Sequence, residues 1–400
     1  MTRLGPVFLS ALGIVSPLGQ GKHEVRCNLL AGNAPGVVRR HDLLIGGQEV
    51  HVGTVQGVLP LVPQCLAVWA SRNTAMVIAA LEEIRPELDA ARARYGSSRI
   101  AVVMGTSTSG LAEGEEAVEQ ALASGALPED FDFRQQELGS TGEVVARHLG
   151  LHGPAYTVST ACSSSAHALA AARRLLHAGL ADAVVAGGAD SLCRLTVNGF
   201  HALSALARGR CNPFSRNRDG TMIGEGAAVF LVEREEAEVA LFGVGASTEA
   251  YSMTAPEPDG RGIEDAVRRA LEDAGLGPSD IDYIQLHGTG TEQNDAAESK
   301  VVLRLFGEGV PCSSSKPQIG HTLGAAGAMG AAHCWLAAGR ANAAGLLPPH
   351  LWDGAAAPGL LATSLAVPGQ RLAPVARRVF LSNAFAFGGS NVALVVGRSR

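Results

Sequence analysis

Three patterns in this chain of 400 residues occur twice, in the same order. The apolar run and Gly/Thr-rich turn of IAVVMGTSTSG (100–110) return as IDYIQLHGTGTE (281–292). Each follows a charged helical stretch, AMVIAALEEIRPELDAARARYG (75–96) in the first case and IEDAVRRALEDAGLG (263–277) in the second. A turn feeding a small-residue helix, STACSSSAHALAAARRLL (159–176), is matched by SSKPQIGHTLGAAGAMGAAHCWL (314–336). A glycine turn opening a β-rich run, GEGAAVFLVER (224–234), is matched by GGSNVALVVGR (388–398). A sequence that repeats strand, turn, helix and strand in register is constrained to build two like units. The reading is two α/β halves related by duplication, 1–240 and 241–400. The strands are continuous apolar runs (AVVM, DAVVAGG, VALVVG) alternating with helices, the pattern of sheets covered on both faces. Two such halves stacked through shared central helices make a five-layered αβαβα fold. Equivalent turns from the halves can then face one pocket.

Composition narrows the function classes. The chain is 46% hydrophobic and 18% charged with a formal net charge of -6, so nothing recommends nucleic acid or an anionic membrane as partner. Aromatic residues are scarce at 4%, whereas 49 glycines suit close-packed elements and tight turns. Seven scattered cysteines without a CxxC pair argue for a reducing compartment, the cytoplasm, rather than a disulfide framework. The amino-terminal MTRLGPVFLSALGIVSPLG is interrupted by Pro6 and Gly13 and carries no cleavage site, which predicts a buried first strand and not a signal peptide. GAAGAMGAAHCWLAAG (324–339) is too short to span a bilayer and is expected to be a buried helix. No membrane insertion is expected.

The chemistry collects where strands turn into helices. Cys162 sits between the β-type run VST and an Ala-rich helix, where the helix dipole and free amides favour thiolate and its own N–H faces a developing oxyanion. His287 follows the strand IDYIQL and His321 opens a helix, both in turns that the repeat places beside Cys162. Lys316 and Glu298 are placed to form a charge pair that orients the site.

These residues lie in motifs that resemble the β-ketoacyl-acyl-carrier-protein synthases of the thiolase superfamily, the elongating Cys–His–His type. The resemblance rests on TACSSS around Cys162, HGTGT from His287, KPQIGHTLGAAG from Lys316 and FAFGGSN from Phe385. CNPFSRNRDG with GEGAA (211–228) and AYSMTAPEPDG (250–260) also match. A weaker resemblance, in STACSSSAHALAAARRLL and DSLCRLTVNGFHALSAL, points to the short ketosynthases of aryl polyene pathways. The resemblance implies that Cys162 takes an acyl chain as a thioester. His287 and His321 would hold the carbonyl of a malonyl-carrier extender through decarboxylation, and the N–H groups of Cys162 and Phe387 would form the oxyanion hole. Lys316 and Glu298 would support them. Thr289 and Thr291 would meet the pantetheine arm, and Thr108 and Phe385 would line the substrate pocket. No resident cofactor is implied, since phosphopantetheine arrives on the acyl carrier protein. The expected partners are that carrier and a second subunit, either another copy or a chain-length-factor-type paralogue. The gating turn departs from the family's frequent GFGG with Ala386 at its first position.

Rival assignments lack their residues. A degradative thiolase needs a second cysteine near AFGGSN, and a starter-condensing synthase carries Asn in place of His321. An α/β-hydrolase would show GxSxG, and the adjacent His333 and Cys334 have no companion metal ligands. The alternative kept open is a non-catalytic chain-length-factor-type subunit, against which Cys162 and both histidines argue.

Overall fold

The computed structural model describes residues 4–361 and 364–399. The first apolar run is β1 (Val7–Ser16), buried along most of its length, with the short β2 (Gly19–Gln20) folded back on its end. Helix α1 (Lys22–Ala31) follows. A separate three-stranded sheet joins β3 (Val37–Arg40), β4 (Val50–Gly53) and the later β8 (Ile223–Gly224). The charged stretch before the first repeat is two helices and not one, α2 (Arg72–Glu83) and α3 (Arg85–Tyr95). The break has a local cause: Pro86 lacks an N–H and is tolerated only in a first helical turn, so the helix restarts at Arg85.

The remaining elements of the amino-terminal part are β5 (Ile100–Gly105), α4 (Leu111–Ser124), α5 (Ser140–Leu149), β6 (Ala155–Val158), α6 (Ser164–His177), β7 (Ala183–Asp190), α7 (Arg194–Ala202) and β9 (Gly226–Glu233). After it come β10 (Val239–Thr248), α8 (Arg261–Ala274), β11 (Tyr283–Gln285), α9 (Glu292–Phe306) and β12 (Cys312–Ser313). The chain ends with the one-turn α10 (Lys316–Ile319), α11 (Ala326–Ala338), β13 (Arg378–Phe385) and β14 (Ser390–Arg398).

One hydrogen-bonded path runs β12-β11-β13-β14-β10-β1-β9-β7-β5-β6. At its middle β1 and β10 touch only at Val7–Leu241 and Phe8–Ala240. On either side of that joint the order is the same: β1-β9-β7-β5-β6 answers β10-β14-β13-β11-β12. In each five, the first two pairings are antiparallel and the last two parallel.

Helices α6 and α11 pack on each other between the two sheets, α6 under β5 and β7, α11 under β13 and β14. Outside lie α2 and α5 on one sheet and α8 on the other, which completes the αβαβα layering. The sequence of α11, AGAMGAAHCWLAA, is apolar on every face, as a helix enclosed by two sheets and a partner helix must be. The expected buried helix is there. Small side chains let the central helices approach: a Cβ on Gly327 would stand 2.5 Å from the Ala166 backbone nitrogen.

The two ends of the path differ. At β12 the edge is covered by residues 364–366, which exchange backbone hydrogen bonds with Cys312. At β6 the edge is open, with Ala155 exposed and Tyr156 39% exposed.

Candidate active site

The turn between β6 and α6 carries Cys162 just ahead of the helix, whose first residue is Ser164. Ala161 before it adopts a left-handed φ of 51°, an unfavourable conformation for a residue with a Cβ. At this sharp bend the cysteine sulfur meets the second half of the chain. There His321, in the turn between α10 and α11, brings its Nε2 to 3.0 Å from the sulfur. The His287 ring, just past β11, stands 5.4 Å from the His321 ring centroid and nearly perpendicular to it, at 86°. The three side chains come from three separate turns and open on one cavity of about 470 Å³.

Protonation states follow from burial. Cys162 is only 6% exposed, and desolvation pushes its thiol up to about 11. The Lys316 charge and backbone hydrogen bonding from Phe387 and from Cys162 itself pull the other way without prevailing. The expected resting thiolate is therefore corrected. At this buried site the loss of hydration outweighs the helix terminus, and the thiol gives up its proton only when a base takes it. Burial holds both His287 and His321 well below their ordinary values, with Lys316 adding to the effect, so both rings are neutral at pH 7. A neutral imidazole in contact with a thiol is a proton acceptor of suitable geometry.

Lys316 and Glu298 do not form the direct charge pair expected of them. Instead they grip one peptide from two sides. Glu298 Oε1 accepts from the His287 N–H at 2.8 Å and Oε2 from the Gly288 N–H at 2.8 Å. The Lys316 ammonium donates to the His287 carbonyl oxygen. Burial raises the Glu298 carboxyl, against hydrogen bonds from Gly288, Asn383 and His287, and burial lowers the Lys316 ammonium, against the Glu298 charge. Asn383, which donates to Glu298 Oε1 at 3.0 Å, has no counterpart in the sequence reading. Its signal was present as a lone amide in the apolar strand RVFLSNAF.

Thr289 and Thr291 line the same cavity, their hydroxyls 2.9 Å apart, and Phe385 lines it with its ring 5.7 Å from that of His287. Phe387 is half-buried in the turn after β13 and stacks on Phe200 of α7, with centroids 5.4 Å apart and planes at 20°. Phe200 also meets the His321 ring edge-on at 6.2 Å. Phe200 is a wall residue that the motif reading quoted without assigning a role. Thr108 is a correction. It does not face the cavity; its hydroxyl and N–H are both spent on the buried Asp190 carboxylate, each at 2.8 Å. Among the described residues no group of three or more His, Cys, Asp or Glu is placed to hold a metal ion, and no helix is long and apolar enough to cross a membrane.

Two family models match consecutive segments, the N-terminal domain of β-ketoacyl synthase over residues 71–238 and its C-terminal domain over 238–352. Nodulation protein E of Rhizobium meliloti is 36% identical over 74% of this chain and 75% of that protein. A 3-oxoacyl-[acyl-carrier-protein] synthase 2 of Rhizobium meliloti strain 1021 is 39% identical over 65% of this chain and 64% of that enzyme. Among solved structures, a chain of the ketosynthase ApeO in complex with its chain length factor ApeC from Xenorhabdus doucetiae superposes with a TM-score of 0.93. It is 43% identical and the match covers 99% of this chain and 98% of that one. A chain of the ishigamide ketosynthase/chain length factor gives a TM-score of 0.87 at 28% identity, over 99% of this chain and all of that one. With family models over most of its length and a shared fold, the chain belongs to the β-ketoacyl synthases, acyltransferases of the thiolase fold.

Proposed function

We propose that this β-ketoacyl synthase runs its condensation on Cys162, with the residues of the cavity in the following roles. The observation that carries the assignment is the 3.0 Å contact of the Cys162 sulfur with the neutral His321. In the first step His321 takes the thiol proton as the sulfur attacks an acyl-carrier thioester. The N–H groups of Cys162 and Phe387 hold the oxyanion, and the phosphopantetheine thiol departs with the proton. In the second step His287 and His321 hold the thioester oxygen of a malonyl-carrier extender while it loses CO2. The carbanion so formed attacks the Cys162 thioester, and the expelled sulfur regains a proton. The product is a β-ketoacyl chain two carbons longer. Thr289 and Thr291 meet the pantetheine arm, while Phe385 and Phe387 bound the acyl side. Phosphopantetheine comes with the carrier, and no resident cofactor enters.

The partners proposed are an acyl carrier protein and a second subunit, either a copy of this chain or a chain-length-factor-type paralogue, in the cytoplasm. The open β6 edge and the paired architectures of the two ketosynthase/chain length factor structures support a second subunit. The substrates proposed are the growing chains of fatty-acid-like or aryl polyene/polyketide elongation.

The test is mass spectrometry of the intact protein after incubation with a panel of acyl-carrier thioesters. Cys162 should be the one residue that gains acyl mass, and Cys162→Ala should stay folded while losing both loading and condensation. Acyl mass on any other cysteine of the alanine variant would overturn the assignment.

A further inference from the structure

Behind the reacting pair lies a carboxylate that none of these steps uses. Asp190 ends β7 with no solvent exposure. Its Oδ1 accepts from the Thr106 hydroxyl at 2.6 Å, and from the Ser107 N–H, the Thr108 N–H and the Thr108 hydroxyl at 2.8 Å each. Its Oδ2 accepts from the Ala325 N–H at 3.2 Å. Five donors converge on one side chain, four on Oδ1 and one on Oδ2; an amide in its place would turn its NH₂ toward the Ala325 N–H and set two donors face to face, cutting the link to the 322–325 turn.

These donors belong to two turns that matter. Residues 106–109 follow β5 and reach the nucleophile, since the Ser107 hydroxyl donates to the Ala161 carbonyl at 3.2 Å. Residues 322–325 lead from His321 into α11. Gly324 marks where the turns meet: a Cβ there would stand 2.7 Å from Asp190 Oδ2 and from the Ser107 nitrogen. Backbone strain occurs at the same place, and also at Ser204 and Phe214. The non-glycine residues with left-handed φ include Ser109 at 48°, Ala161 at 51° and Leu323 at 49°, one in each of the three turns. Such conformations persist only where the surroundings over-determine them, and Asp190 binds the neighbours of two of these residues, Thr108 beside Ser109 and Ala325 two residues after Leu323.

We propose that Asp190 is a positioning residue: by drawing the 106–109 and 322–325 turns onto one carboxylate, it sets the Cys162 bend against His321 at contact distance. The inference rests on the assignment of Cys162 and His321 as the reacting pair. It also gives the Thr108 hydroxyl its role, as one of the five donors.

The test is the rate of acyl transfer to Cys162, followed by intact mass at varied acyl-carrier concentration so that kcat and KM separate. A misplacement of the pair on the scale of 1 Å costs about 100-fold, so Asp190→Asn should lower kcat by about 10- to 100-fold and leave KM within about twofold. Ser107→Ala, which cuts the link from the turn to Ala161, should lower kcat by about threefold or more. Because the two act along one path, the double variant should be no slower than Asp190→Asn. An Asp190→Asn protein with a lowered Tm but unchanged kcat, a KM that rises in step with the loss, or effects that multiply in the double variant would each overturn the proposal. If Asp190→Asn is not recovered folded, Ser107→Ala decides by the same kcat and KM measurement, an unchanged kcat being the adverse result. A wild-type chain that gains no acyl mass on Cys162 defeats the reacting-pair assignment and the inference with it. A wild-type chain that acylates, with both variants matching it, defeats the positioning role alone.

Discussion

At His287 the ring is aimed through its backbone. Glu298 holds the N–H of His287 and the next one along, and Lys316 holds the carbonyl, so the peptide cannot rotate and the ring is delivered to the cavity at a fixed angle. Glu298→Gln replaces one acceptor by a donor that faces an N–H group. The expected outcome is a fall in malonyl-carrier decarboxylation, read as CO2 release, of about 10²- to 10³-fold, the range seen when one oxyanion donor is removed. Acyl transfer to Cys162 should fall by less than about tenfold, since His321 and the sulfur are not held by Glu298. Equal losses in the two half-reactions would point to general collapse of the site. The meeting of Cys162, His287 and His321 was legible in the sequence because the first two follow β-type runs and the third opens a helix in the matching place of the repeat. The contacts of Lys316 and Glu298 were not. Spacing brings two charges near one another but does not say that each will choose a backbone group over the other. Thr108 was misread for a related reason. A hydroxyl in a turn after a strand serves a pocket or a buried acid equally well, and the acid that claims it is distant in sequence, at the end of β7.

Among the elements, the pair α6 and α11 is the one on which the turns of the proposed reacting pair depend, since Cys162 precedes the first and His321 the second. Their spacing is set by hydrogen atoms where other helices carry side chains. Gly327→Ala forces a methyl group toward the Ala166 nitrogen, with 2.5 Å available. Overpacking of this kind costs about 1–3 kcal/mol. The variant should unfold at correspondingly lower urea and also load acyl groups more slowly, because the two helix starts carry the reacting atoms with them. Unchanged urea unfolding would show that α6 and α11 separate without strain. The small, apolar composition of α11 and its shortness sufficed to foresee its burial. The interruption between α2 and α3 went unseen because the charged pattern continues across Pro86, and only the missing N–H of that residue divides it.

On the scale of the whole molecule, two sheets enclosing a helical layer keep out protons as well as water. His333 on α11 has no exposure, and burial holds its ring down at about 3, with Lys316 contributing. A histidine depressed in the fold stabilises it fully above the unfolded value of about 6.5, and that contribution drains away as pH falls toward 3. At about 1.4 kcal/mol per proton and pH unit, the wild type should lose about 2 kcal/mol more than His333→Gln between pH 7 and pH 5. Urea unfolding at the two pH values measures this difference, and parallel losses would mean that His333 takes up its proton without unfolding. The repeated patterns in the sequence foretold the matching strand orders on either side of the β1–β10 joint, because each strand and its turn recur as a unit. They could not foretell that the ends would differ, since β6 and β12 are too short to carry a pattern.

That difference decides how copies can add. A sheet open at both ends has a valence of two, and units of valence two string into filaments without limit. Here residues 364–366 occupy the β12 end, and among the described residues β6 is the vacant end of the path. Joining β6 to β6 about a twofold axis satisfies both subunits at once and leaves nothing to extend. The chain's own backbone thus works as a terminator of this path at its β12 end, and strand addition along the path has one end to start from.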